Sequence, residues 1–104
     1  MYVIALVRYK ADEATLAEHN AEHREYLAPY KEGGKIVMAG PFYPPGSDDR
    51  SGGLILFNAE SAQEVTDIMA GDPFNTRGFY DLELLEWRTT LGKELLAEMV
   101  SRLG

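Results

Sequence analysis

The sequence predicts an α+β domain of ferredoxin-like βαββαβ layout with an antiparallel sheet, followed by one further helix. Three observations carry this. Short apolar runs and helix-periodic segments alternate in the order β-α-β-β-α-β, the split βαβ signature. Gly and Pro clusters at residues 33–34, 44–53 and 71–73 separate them. The length of 104 residues suits one domain with one core.

Residues 2–9 are nearly all apolar and read as a strand buried on both faces. Asp12 can cap the helix that follows, with Glu13 in its first turn. The helix should run to about residue 32 and stop at Gly33-Gly34, with Pro29 kinking or finishing it. Residues 35–43 form the second strand, with Ile36, Val37 and Met38 as its apolar centre. Residues 44–52 are turn chemistry throughout, and residues 53–58 form the third strand. Strands two and three, close in sequence, should make an antiparallel hairpin with a long tip.

Ser61 and Glu64 form a capping box, and Val65, Ile68 and Met69 give the second helix its apolar stripe. Gly71 ends that helix, and Asp72-Pro73 prevents it restarting. Residues 79–88 form the fourth strand. Thr90 can cap a last helix over residues 91–103, whose Leu95, Leu96, Met99 and Leu103 share one side. Residues 1–90 thus make one domain and residues 91–104 a helical extension. Two helices on one sheet face leave the other face needing cover. A second subunit supplies this in domains of this size, so a homodimer is expected, unless the terminal helix folds back over that face.

Net charge is −7, from 10 basic and 17 acidic residues. Such a surface repels a phosphate backbone, and no basic stripe interrupts it, which argues against nucleic-acid binding. The longest apolar run, residues 2–7, is too short to cross a membrane. The chain opens on a strand without a basic leader, so a cytoplasmic location is expected. There are no cysteines, which excludes disulfides, thiolate nucleophiles and Cys-ligated metals. Gly33-Gly34 follows a helix and cradles no phosphate, and Ser47, Ser51 and Ser61 sit in loop or cap contexts. No cofactor is expected.

At 100° per residue, Leu16, Asn20, His23, Leu27 and Tyr30 recur along one stripe of the first helix. His23 is at its centre, Asn20 beside it and His19 near its edge, while Glu18, Glu22, Arg24 and Glu25 point to solvent. A polar side chain on a core-facing stripe needs a partner. His23 is then either a structural histidine bonded to Asn20 or a carbonyl, or a general base in a cleft. Asp72, between a helix end and Pro73, is either a turn-former or a functional carboxylate. His19 to His23 also matches H-x-x-E-H, which can ligate zinc, but no third ligand stands out and no metal is assigned. Arg8 reads as a salt-bridging sheet residue. Arg50 and Arg77 lie in loops with either an anion or an ion pair as partner. The aromatic residues are read mostly as core, Phe74 and Phe79 as core or pocket wall.

Taken in order, several stretches resemble the YCII-related (YciI-like) family. They are His23 with Tyr26-Leu27, the segment from Gly34 to Gly40-Pro41, Gly52-Gly53 before a strand, and Ser61 opening a helix that ends in Asp72-Pro73-Phe74, with Gly78 soon after. The resemblance covers about residues 1–90, and the last helix departs from it. It implies a dimeric α+β barrel with a functional histidine and aspartate, roles that fall on His23 and Asp72. It also implies a small-molecule ligand, since the family includes a dehydrochlorinase of chlorinated hydroxyquinols. Cofactor-independent proton transfer by a His-Asp dyad is then expected: a lyase, isomerase or dehydrohalogenase. Asn20, Gly40, Pro41, Phe42 and Phe74 would bind the substrate. A non-catalytic dimeric metabolite-binding module and a cofactor-free monooxygenase are the alternatives.

Overall fold

In the computed structural model, which describes residues 1–103, the chain runs β1 (Tyr2–Tyr9), α1 (Glu13–Glu32), β2 (Ile36–Phe42), β3 (Gly52–Asn58), α2 (Ala62–Ala70), α3 (Pro73–Thr76), β4 (Tyr80–Glu86) and α4 (Lys93–Ser101). The four strands form one antiparallel sheet in the order β2-β3-β1-β4, the ferredoxin-like arrangement expected. The short α3, which Asp72 opens, was not legible as a helix in the sequence.

The core lies between one sheet face and the helices. Val3, Ala5 and Val7 of β1 meet Leu16 of α1, Ile55 and Phe57 of β3, Val65, Ile68 and Met69 of α2, and Phe74 of α3. Phe57 and Phe74 are wholly buried, and each such side chain is worth about 1.5–3 kcal/mol relative to exposure. The caps fall where sequence put them for two helices. Asp12 accepts from the Thr15 amide at 2.9 Å and Ser61 from the Glu64 amide at 3.2 Å. Glu64 does not complete the box; it pairs with Lys35 at 2.9 Å.

Several expectations are corrected. β1 is not buried on both faces: it alternates, with Val3, Ala5 and Val7 buried and Tyr2, Ile4 and Leu6 half-buried on the other side. An antiparallel sheet with helices on one face needs only that alternation. Pro29 does not end α1; the helix passes through it, and the Gly33 amide donates to the Pro29 carbonyl at 2.9 Å. β4 is shorter than residues 79–88. α4 begins after Gly92, whose φ of 80° suits glycine, and not at Thr90. Around α4, Leu96 is buried and Met99, Val100 and Leu103 are half-buried, whereas Leu91 and Leu95 are exposed. Of the stripe expected, Leu96, Met99 and Leu103 face inward, joined by Val100, and Leu95 does not. Arg8 pairs across the sheet with Glu83 at 3.3 Å.

Candidate active site

A cavity of about 560 Å³ opens between α1 and the β2–β3 side of the sheet. That is the size range of small-molecule sites. Its origin is local. On the strands below α1 stand Ala39, Gly40, Pro41 and Gly53, which carry little or no side chain. They leave the space beneath the helix unfilled, so its inner stripe faces a void. Asn20, His23, Arg24, Leu27, Ala28 and Lys31 line it at helical spacing. The stripe that sequence assigned to core is thus largely a cavity wall; of the residues named for it only Leu16 is buried. Arg24, assigned to solvent, lies at the cavity's edge and is exposed.

His23 and Asp72 meet. His23 Nδ1 stands 2.7 Å from Asp72 Oδ1, although 49 residues separate them in sequence. Asp72 is wholly buried, and its position follows from its cap role: Oδ1 also accepts from the Phe74 amide at 3.1 Å, opening α3. Oδ2 accepts from the Tyr80 hydroxyl at 2.9 Å. A carboxylate facing three donors accepts the imidazole hydrogen bond and fixes Nδ1 as the protonated nitrogen. Nε2, across the ring, has no hydrogen-bond partner among the described residues, and His23 lines the cavity. The Phe74 ring stacks on the imidazole with centroids 4.1 Å apart and planes 8° from parallel. Burial, and then the Asp72 charge, push the Tyr80 hydroxyl well above the usual phenol range, so it stays a donor at neutral pH.

A second polar group borders the same cavity. Arg50, from the β2–β3 loop, bonds Glu13 through Nε at 3.1 Å and Nη2 at 2.9 Å, and Nη1 donates to Asn20 Oδ1 at 3.1 Å. Its backbone amide donates to Glu13 Oε2 at 3.0 Å, pinning the loop to the start of α1. The guanidinium also lies 5.9 Å from the Tyr9 ring centre. Those hydrogen bonds to Arg50 hold the Glu13 carboxyl below its ordinary range. Burial raises the Tyr9 hydroxyl, Arg50 opposes this, and Asp72 and Glu13 add to it.

Of the expected substrate-contacting residues, Asn20, Gly40 and Pro41 line the cavity. Phe74 does not: it is wholly buried, beneath His23. Phe42 lies on the opposite sheet face, paired with Gly52, and is 40% exposed. The two histidines of H-x-x-E-H engage separate carboxylates, His19 with Glu22 at 3.1 Å and His23 with Asp72. Arg77 also pairs with Glu22, at 2.6 Å. Tyr9 and Tyr80 escaped the sequence reading as site residues, although they are direct cross-strand partners and both line the cavity. Arg50 carried no periodic signal, because it sits in a loop.

The fold has counterparts among known proteins. Over 85% of this chain and 95% of theirs, the coordinates match 5-chloro-2-hydroxyhydroquinone dehydrochlorinase (TftG) from Burkholderia phenoliruptrix AC1100, solved in complex with 2,5-dihydroxybenzoquinone, with a TM-score of 0.70 and 26% identity. SnoaB, a cofactor-independent oxygenase from Streptomyces nogalater, matches over 86% of this chain and 94% of its own with a TM-score of 0.53. At 13% identity it speaks for the α+β barrel fold alone. In sequence, the uncharacterized protein YjpA of Bacillus subtilis (strain 168) is 28% identical over 88 residues, 85% of this chain and 96% of YjpA. Residues 1–88 match the YCII-related domain, all of it upstream of α4, and the chain belongs to that family.

Proposed function

We propose that this protein is a cofactor-independent acid–base enzyme acting on a small enolisable or hydroxyquinol-like molecule. The observation that carries this is the His23–Asp72 hydrogen bond of 2.7 Å at the wall of a ligand-sized cavity. Asp72 orients the imidazole and stabilises its charged form, and Nε2 is the nitrogen left to act. His23 Nε2 takes a proton from a substrate C–H beside a carbonyl (in a hydroxyquinol, that of its keto tautomer), and the C–H electron pair moves into that carbonyl as an enolate. The imidazolium then returns the proton to another atom, an isomerisation, or the pair expels a leaving group, an elimination. Asn20, Gly40 and Pro41 contact the substrate. The similarity to TftG supports the elimination branch.

The test is chloride release from 5-chloro-2-hydroxyhydroquinone, with deuterium exchange into enolisable acids as a second assay. A positioned acid–base residue is worth about 10²–10⁴-fold. His23→Ala should therefore lower turnover by at least about 10²-fold while leaving the binding of 2,5-dihydroxybenzoquinone in place. Binding without turnover in the wild type would leave a metabolite-binding module instead. Oxygen uptake in the same assay would point to monooxygenase chemistry.

We further propose that the sheet face turned away from α1 and α2 joins two copies of the chain. Met38, Phe42 and Leu85 lie on it with Ile4, Leu6 and Leu54, and Trp87 continues β4 beside them through its amide bond to Tyr2 at 2.9 Å. Met38, Phe42, Leu85 and Trp87 are 40–49% exposed, a concentration of large apolar side chains that favours association.

A further inference from the structure

The charge around the cavity opposes the charge of the molecule. In a chain of net charge −7, the cavity is lined by three cationic side chains, Arg24, Lys31 and Arg50, and by one carboxylate, Asp72. That carboxylate is wholly buried and already accepts from His23, Tyr80 and the Phe74 amide. Glu13 neutralises part of the Arg50 charge, yet a guanidinium has five N–H donors. Nε and Nη2 engage Glu13 and Nη1 engages Asn20, which leaves two N–H groups without a partner among the described residues. The Arg50 side chain is only 12% exposed, so those donors are held in place and partly desolvated. Asn20 sits three residues before His23 on the same helix face, about 5–6 Å away between Cβ atoms. The fork that Asn20 holds is therefore within one small molecule's span of the imidazole. The Tyr9 hydroxyl has no hydrogen-bond partner among the described residues and borders the same space.

We infer that the substrate carries an anionic oxygen, a phenolate, enolate or carboxylate, which Arg50 anchors while His23 moves the proton. Arg24 and Lys31 at the edge add attraction without fixed geometry, and the Tyr9 hydroxyl donates a further hydrogen bond. This rests on the acid–base reading of the site and names the substrate class that the site accepts. An anchored oxyanion is also what proton abstraction beside a carbonyl generates, so the same donors favour the enolate over the neutral ketone.

The test is equilibrium titration of 2,5-dihydroxybenzoquinone, ionised at neutral pH, and of its neutral dimethyl ether. Wild type, Arg50→Gln, Arg50→Lys and the surface double variant Arg24→Gln/Lys31→Gln are compared at low and high salt. Wild type should prefer the anion at least tenfold and lose affinity as salt rises. Arg50→Gln should lose about tenfold to a hundredfold for the anion and little for the ether, the range expected for one charge-assisted hydrogen-bonded contact. Arg50→Lys should recover part of that loss, and its melting temperature reports whether the loop is still held. The double variant, confined to exposed helix positions, should fold normally and flatten the salt dependence. Equal affinity for ether and anion, no binding of either, or an anion affinity indifferent to all these substitutions overturns the inference. Anion binding through Arg50 without turnover leaves the inference standing and removes the acid–base reading. Turnover that depends on His23 but ignores ligand charge does the reverse.

Discussion

The Asp72 carboxylate is wholly buried and accepts from three donors, the imidazole, the Phe74 amide and the Tyr80 hydroxyl. This gives its substitutions distinct outcomes. In Asp72→Asn the remaining oxygen can still serve His23 and Phe74, because both use Oδ1. The new amide replaces Oδ2, and the Tyr80 hydroxyl turns to accept from it. The fold should survive and the imidazole keep its tautomer, while the charge that stabilises the imidazolium is gone. Turnover in the chloride-release assay should fall by about 10²-fold, the lower end of acid–base effects. Tyr80→Phe leaves Oδ2 buried without a donor and should cost about 1.5–3 kcal/mol in urea unfolding. Its pH dependence has a definite sign. The Tyr80 hydroxyl is raised in the folded state by burial and by Asp72, so its contribution is full below the ordinary tyrosine value of about 10 and fades as pH rises further. The stability gap between wild type and Tyr80→Phe should therefore narrow only in alkali.

The elements meet at a few close approaches that tolerate no extra atoms. Tyr26 of α1 donates to the Ile68 carbonyl of α2 at 2.8 Å, and its ring covers Gly71. A methyl on Gly71 would stand 2.8 Å from Tyr26 Cζ and closer still to the hydroxyl. Gly71→Ala should cost about 1–3 kcal/mol, read by thermal melting, through crowding alone. The β2–β3 loop depends on the Glu13–Arg50 clamp. Glu13 is lowered in the folded state, first by its hydrogen bonds to Arg50, so the clamp's contribution is full above the ordinary glutamate value of about 4.3 and fades as pH falls from there through the lowered folded-state value. The melting temperature of Glu13→Gln should lie below wild type at pH 7, and the gap should narrow as acid takes the pH below the ordinary glutamate range. Element order was legible in the sequence because periodicity and Gly/Pro punctuation are local. What α1 faces was not: its stripe looks like core by spacing, and becomes cavity wall because strands far along the chain carry Ala39, Gly40, Pro41 and Gly53. His23 and Asp72 were legible as separate residues and through family resemblance, whereas their contact depends on tertiary packing. The loop residue Arg50 had no pattern to betray it. Phe42 was misplaced because its side is set by the pairing with Gly52, downstream of the β-bulge between Ile36 and Met38.

Across the whole molecule, the two sheet faces are assigned different work. One face carries the core and the cavity, and the other presents Met38, Phe42 and Leu85, with Trp87 at the end of β4. Light scattering should give twice the mass of one chain, and Leu85→Glu with Trp87→Glu should give monomers that keep the cavity's architecture. Removing residues 91–104 tests the terminal helix separately, since Leu96 and Leu56 are both buried outside the main core cluster. Loss of the buried Leu96 should lower the melting temperature whether or not dimers persist. The surroundings of His23 also impose a handedness on any reaction there. Phe74 shields one face of the imidazole, and Asp72 stops the ring from turning, so Nε2 holds its lone pair along a single line at the wall of an asymmetric cavity. A substrate pinned at a second point can offer only one side to that line. Exchange into a prochiral methylene should therefore place deuterium in one of its two positions, and the product of isomerisation should be a single enantiomer.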